Sequence, residues 1–171
     1  MRNETVNGFR NEFFFLSNFY PSLISVSFKN EFFEFPTAEH VFQGMKVKAI
    51  SSNDDKNSYQ DPVELLRQLE SSKAPVKAKY WGRKIKINVE YWDSISIKAM
   101  RKTLDLKFTQ HQHLKDKLID TNDTKLVEYN SWNDTFWGVN ESTGVGENNL
   151  GILLMELRES VRNTAYYLAS K

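Results

Sequence analysis

Glu39, Gln43 and Lys46 stand four and then three residues apart in the stretch "EFPTAEHVFQGMK", Glu34 to Lys46. At 3.6 residues per turn they stack on one helix face over two turns, beside an apolar face of Val41, Phe42 and Met45. A carboxylate, an amide and an amine in this order have two readings. On a solvated face the Glu39–Lys46 pair is an ordinary ion pair worth roughly a few tenths of a kcal/mol. Facing a ligand, the same three side chains supply an acid–base group, a hydrogen-bonding group and a cation or nucleophile. His40, next to Glu39, is of a type that more often serves structure than catalysis.

A second concentration of polar chemistry follows position 125. The stretch "LVEYNSWNDTFWGVNESTGVGEN" and the next residue bring together Glu128, Asn130, Asp134, Trp137, Gly138, Gly144, Gly146, Asn148 and Asn149. Trp132 and Trp137 sit there among polar residues and not in an apolar stripe. Asparagine, aspartate and glycine favour turns and caps, and tryptophan can plug a core. Loops held by a scaffold also carry function. Both readings stand at this level.

The elements that must position these residues come from the rest of the chain. Its 171 residues fit one domain over 1–171, and a hydrophobic share of 40% is enough for a core without staples. The net charge of +1 gives no electrostatic case for non-specific nucleic-acid or membrane binding, so an anionic ligand needs a local site. With no cysteine there is no disulfide framework, thiolate metal site or thiol nucleophile. Zinc would require His40, His111 and His113 to converge, which nothing in their spacing supports. No signal-peptide pattern and no apolar run of about 20 residues is present, and a cytoplasmic location is expected.

No internal repeat is visible. The aromatic "FFFLSNFYP" reads as extended chain closing on Pro21, and "LISVSFKNEFFEFP" as a hairpin turning near Lys29-Asn30-Glu31. Thr37 is the expected N-cap of a helix from Ala38 to about Ile50. The polar segment Ser51–Asp61 reads as a surface loop. Further helices are expected from Pro62 to about Glu70, through "APVKAKYWG" ending at Gly82, through "VEYWDSISIKAMRKTLDLKFTQ", through "QHLKDKLIDT" and through "NNLGILLMELRESVRNTAYYLA". The fold class is α+β, mainly helical, with a small antiparallel sheet contributed mostly by the N-terminal third.

In order, the blocks "FLSNFYP", "FPTAEHVFQGMK", "AKYWGR", "YWDSISIKAM", "KFTQHQHLKDKLIDT", "LVEYNSWNDTFWG" and "GENNLGILLMELR" resemble the YbiA-like, or NADAR, family of small N-glycosidases, from about Phe15 to Arg158. The polar loop Ser51–Asp61 is longer than that pattern, and Val139-Asn140 follows Trp137-Gly138 where family members often carry a further glycine or an acid.

The resemblance implies cleavage of a ribosyl carbon–nitrogen bond without metal or redox cofactor. The transition state carries positive charge at the anomeric carbon, which a fixed carboxylate stabilises. Glu39 or Asp134 is implied in that role, and Lys46 as an amine that attacks the ring-opened sugar to give a Schiff base. A lysine among apolar side chains has a depressed pKa and so a nucleophilic amine. Gln43 would hold a sugar hydroxyl or orient Glu39. Trp137 beside Gly138 would stack on the base, Asn18 and Asn148 would offer amides, and Arg83 would clamp a phosphate. Arg158 is expected to be structural, paired with a buried acid. The implied substrate is a ribosylamino-pyrimidine 5′-phosphate of riboflavin synthesis. The alternatives are removal of ADP-ribose from guanine bases, with nucleic acid entering only as that modified substrate, and a non-catalytic module that binds ADP-ribose or a related nucleotide.

Overall fold

A computed structural model describes residues 5–50 and 61–169, with side chains to residue 164. The expected loop Ser51–Asp61 therefore lies outside the described residues except for Asp61, whose Oδ1 accepts from Val63 N at 2.7 Å and caps the helix opening at Pro62. The chain forms two compact units, one of residues 18–107 and one of residues 5–17 with 108–169.

In the first unit, β2 (Pro21–Phe28) and β3 (Glu31–Thr37) form the antiparallel hairpin expected from the sequence. Its two-residue turn puts Lys29 and Asn30 at φ 50° and 63°, both left-handed, as a type I′ turn demands. Period-two alternation buries Ile24, Phe33 and Phe35 and leaves Leu23 and Phe32 exposed. Then come α1 (Ala38–Gly44), α2 (Pro62–Ser71), α3 (Pro75–Gly82) and most of α4 (Val89–Gln110). Val41, Phe42, Leu66, Leu69, Ala78, Met100 and Leu104 complete that core. Each large side chain so buried contributes roughly 1.5–3 kcal/mol.

In the second unit, β1 (Thr5–Asn7) pairs in parallel with β4 (Lys125–Val127), and β5 (Tyr129–Asn130) in parallel with β6 (Val139–Asn140). α5 (Gln112–Asp120) and α6 (Asn149–Ala169) bury Leu114, Leu118, Leu150, Leu153 and Leu154 with Leu126 and Val127. Among the described residues, no helix is long and apolar enough to cross a membrane.

Three expectations are corrected. "FFFLSN" is not extended: Asn11–Leu16 is a 3-10 helix, entered at Asn11 with φ 54°, and Pro21 opens β2 instead of closing a strand. A run of aromatics has the same composition in either conformation, and the bonds Phe13 N to Arg10 O and Ser17 N to Phe14 O decide it. The helix from Ala38 is α-helical only to Gly44 and tightens into a 3-10 turn over Met45–Ala49. The antiparallel sheet is joined by two parallel pairs whose short strands carry too little pattern to be read locally.

Candidate active site

The α1 region is set by what surrounds its first turn. Thr37 is extended, at φ −150°, and ends β3, so the helix begins at Ala38. Its hydroxyl does not cap the helix but meets His40 Nδ1 at 2.8 Å, while His40 Nε2 lies 2.7 Å from the Ser72 carbonyl. A carbonyl only accepts, so Nε2 carries the proton and Nδ1 accepts from Thr37. Burial lowers the His40 pKa, and this fully buried ring is a neutral structural tie between α1 and the end of α2.

Glu39 follows, 6% exposed, its backbone N–H bonded to Asn18 O at 2.9 Å. Gln43 Nε2 donates to Glu39 Oε1 at 2.8 Å. A solvated ion pair is therefore excluded: the carboxylate is buried and held by an amide. Gln43 itself is 4% exposed, and its Oε1 is buried with no hydrogen-bond partner among the described residues. That amide lies against Gly82 of α3, where any Cβ would overlap it, so the close approach of α1 and α3 requires glycine there.

Lys46, half-buried in the 3-10 turn, donates from Nζ to Gly82 O at 3.1 Å and lies 5.8 Å from the Trp92 ring centroid. Burial pushes its pKa below the ordinary 10.5, the Glu39 charge pulls it back up, and the charges of Arg83 and Lys79 push it down. Arg83 is exposed at the end of α3. Asn18 is 7% exposed; its Nδ2 reaches Met100 Sδ at 3.3 Å, and its Oδ1 is buried without a partner among the described residues. An unmade bond at a buried acceptor costs about 1–3 kcal/mol, which a ligand donor would offset. Asn18, Glu39, Gln43, Lys46 and Arg83 thus share one unit.

Asp134, Trp137, Gly138 and Asn148 belong to the other. Asn130 and Asp134 exchange two bonds, Asn130 Nδ2 to Asp134 O at 2.8 Å and Asp134 N to Asn130 Oδ1 at 2.9 Å. Asp134 Oδ1 accepts from Trp137 N at 3.0 Å, and the half-buried Trp137 ring sits edge-on to Phe136. Trp137 is thus no fully buried core plug. Gly138 works through its lack of a side chain, since a Cβ there would collide with the Glu128 carbonyl. Asn148, at φ 56°, donates from Nδ2 to Leu126 O and accepts at Oδ1 from Glu128 N, both at 2.9 Å. Its amide is spent on backbone, so its expected substrate contact gives way to a structural role. Arg158 is structural as expected, bonded to Thr121 Oγ1 at 2.8 Å and Thr124 O at 2.9 Å. Its acidic neighbour is the half-exposed Glu159, not a buried acid.

Sequence reasoning misses Lys107 and places Glu128 only among the polar residues of the loop, with no role. Lys107 is fully buried on α4 with its Nζ 5.6 Å from the Tyr20 ring centroid, and burial pushes its pKa down to about 7. The available signal was a lysine at the third position after Leu104 in an apolar stripe. Glu128 is part-buried between β4 and β5, and burial is the largest reason its pKa rises to about 7.

The α1 region thus holds a buried carboxylate bonded to an amide, with an amine of reduced basicity two residues past the helix, on an α+β scaffold. The family model described as the NADAR domain matches residues 6–162, and the chain belongs to that family. It is 34% identical to the N-glycosidase YbiA of Escherichia coli K12 over 126 residues, 74% of this chain and 70% of the relative. It is 31% identical to a riboflavin biosynthesis protein of Vibrio vulnificus over 153 residues, 90% of this chain and 37% of that protein. Among solved structures, the NMR structure of E. coli YbiA matches with a TM-score of 0.75 and 31% identity, covering 97% of this chain and 89% of that one.

Proposed function

We propose that this N-glycosidase hydrolyses the bond between C1′ of a ribose 5′-phosphate and the amino nitrogen of a pyrimidine. The observation that carries the reading is the buried Glu39–Gln43 pair with Lys46 beside it, its basicity lowered by burial. Glu39 stabilises the positive charge that develops at C1′ as the bond breaks. Lys46, its amine made less basic by burial, attacks the opened sugar and forms a Schiff base that water hydrolyses. Gln43 Oε1 and Asn18 Oδ1, acceptors without partners among the described residues, take sugar hydroxyls. Arg83 binds the 5′-phosphate. No metal or redox cofactor enters the scheme. A relative named for riboflavin biosynthesis supports a pyrimidine intermediate of that route as the substrate. The near-balanced net charge of +1 favours a small substrate over a nucleic-acid chain.

The test is a substrate panel. Release of free ribose 5-phosphate from a ribosylamino-pyrimidine 5′-phosphate is expected. Release of ADP-ribose from ADP-ribosylated guanine nucleotides instead would move the assignment to that substrate. Binding of both without turnover would make the protein a nucleotide-binding module.

A further inference from the structure

The net charge of +1 conceals an uneven distribution. No acidic residue lies between Glu70 and Glu90, while Lys73, Lys77, Lys79, Arg83, Lys84 and Lys86 all fall in that interval. The interval is α3 with its flanks, and α3 is the helix whose Gly82 carbonyl receives the Lys46 amine. Like charges on so short a stretch repel one another unless an anion answers them.

Two of these cations are placed to act together. Lys79 and Arg83 stand four residues apart, and Arg83 N donates to the Lys79 carbonyl at 3.2 Å, so both side chains leave one helix face a turn apart. Both lie close enough for their charges to lower the basicity of the Lys46 amine. Lys79 is half-buried and Arg83 exposed, and among the described residues neither makes a side-chain hydrogen bond or an ion pair. The end of the helix does not need them. Cations favour a helix C-terminus, where the last carbonyls lack partners. Here Arg83 N meets the carbonyls of Lys79 and Tyr80, Lys84 N meets Trp81 O at 2.8 Å, and Lys46 Nζ meets Gly82 O at 3.1 Å.

We propose that Lys79 is a specificity-determining residue that forms, with Arg83, a clamp for the 5′-phosphate of the substrate, so that the site selects phosphorylated ribosides. The guanidinium fork takes two phosphate oxygens, and the ammonium adds a point charge from the same face. C1′ and the 5′-phosphate lie at opposite ends of a ribose. A clamp on α3 and an attacking amine that reaches α3 from the turn after α1 therefore hold the sugar by both ends. That the anion is a ribose phosphate rests on the N-glycosidase reading above; the anion site itself rests on α3 alone.

The experiment takes two readouts on the full chain and on Lys79→Ala, Lys79→Arg, Arg83→Ala and Lys77→Ala. The first is calorimetric titration with ribose 5-phosphate and with ribose. The unmodified chain should bind ribose at least about tenfold more weakly than ribose 5-phosphate, and added salt should narrow the gap. Lys79→Ala and Arg83→Ala should each weaken ribose 5-phosphate about tenfold and leave ribose unchanged. Lys79→Arg should restore binding, and Lys77→Ala, exposed and two positions away on another face, should not alter it. Lys79→Gln, which keeps most of the stem, decides the matter if the alanine variant does not fold. The second readout is turnover of the ribosylamino-pyrimidine with and without its 5′-phosphate. Lys79→Ala should raise KM for the phosphorylated form about tenfold with kcat unchanged. Binding that does not prefer the phosphate, or a preference that Lys79→Ala leaves unmoved or Lys77→Ala moves equally, overturns the proposal. Turnover that ignores the phosphate keeps the reaction and overturns the clamp. Phosphate-dependent binding through Lys79 with no riboside turned over supports the clamp and removes only the reaction.

Discussion

The α1 region and the loop after β4 are built from the same residue types, acids and amides beside a tryptophan, yet they spend their polar atoms differently. In the loop, Asn130, Asp134, Asn140 and Asn148 direct their side chains at nearby backbone groups and so build the turns. In α1 the Glu39 N–H is met by the Asn18 carbonyl from outside the helix, and the side chains of Glu39 and Gln43 bond to each other. Gln43 Oε1 is left over on one side, and Glu128 Oε2 on the other. Residue type alone does not mark a functional group; a buried polar atom that the fold leaves unsatisfied is the stronger sign, although Arg158 Nε, on a structural residue, is one as well.

The comparison breaks most readily at Lys46. Lys46→Arg keeps the charge but supplies no neutral amine, so a folded protein with turnover reduced by at least about 100-fold is expected. Borohydride with substrate should add a sugar-sized mass to the original chain and none to the variant. Full activity in Lys46→Arg would end the covalent route. Glu39→Gln should fold, because the buried neighbour is an amide, and lose about 100-fold in kcat. Activity within a few-fold of the original would take Glu39 out of the mechanism.

On the loop side the expected losses are of another kind. Asn148→Ala removes two buried hydrogen bonds and a residue suited to positive φ, so stability to denaturant should fall by about 2–3 kcal/mol. KM should stay unchanged; a raised KM at unchanged stability would return Asn148 to the binding surface. Trp137→Ala should weaken substrate binding by about 1–3 kcal/mol with the fold intact, if the ring stacks on a base. Loss of folding would make it a packing residue. The smallest effect is expected at Gly82→Ala, where the new methyl displaces the Gln43 amide from Glu39. A fall in kcat of about tenfold is expected for the loss of one orienting hydrogen bond to a charged group. Unchanged kcat would show that Gln43 does not orient the acid.

Much of this was legible locally. The hairpin turn at Lys29-Asn30, the start at Thr37, the ends of α2 and α3 and the long stripes of α4 and α6 follow from turn chemistry and helical period, which act within a few residues. The shared face of Glu39, Gln43 and Lys46 follows the same way. The sequence by itself therefore determined the order and type of most elements, and which side chains could act together. Tertiary structure decided which of them are withdrawn from water. The pairing of β1 with β4 joins residues about 120 positions apart, the 3-10 turn over Met45–Ala49 places the Lys46 amine at Gly82 O, and the burial of Lys107 and Glu128 depends on neighbours distant in sequence. Desolvation is a property of everything packed around a group, so the lowered basicity of Lys46 and the raised pKa of Glu128 exist only in the folded chain.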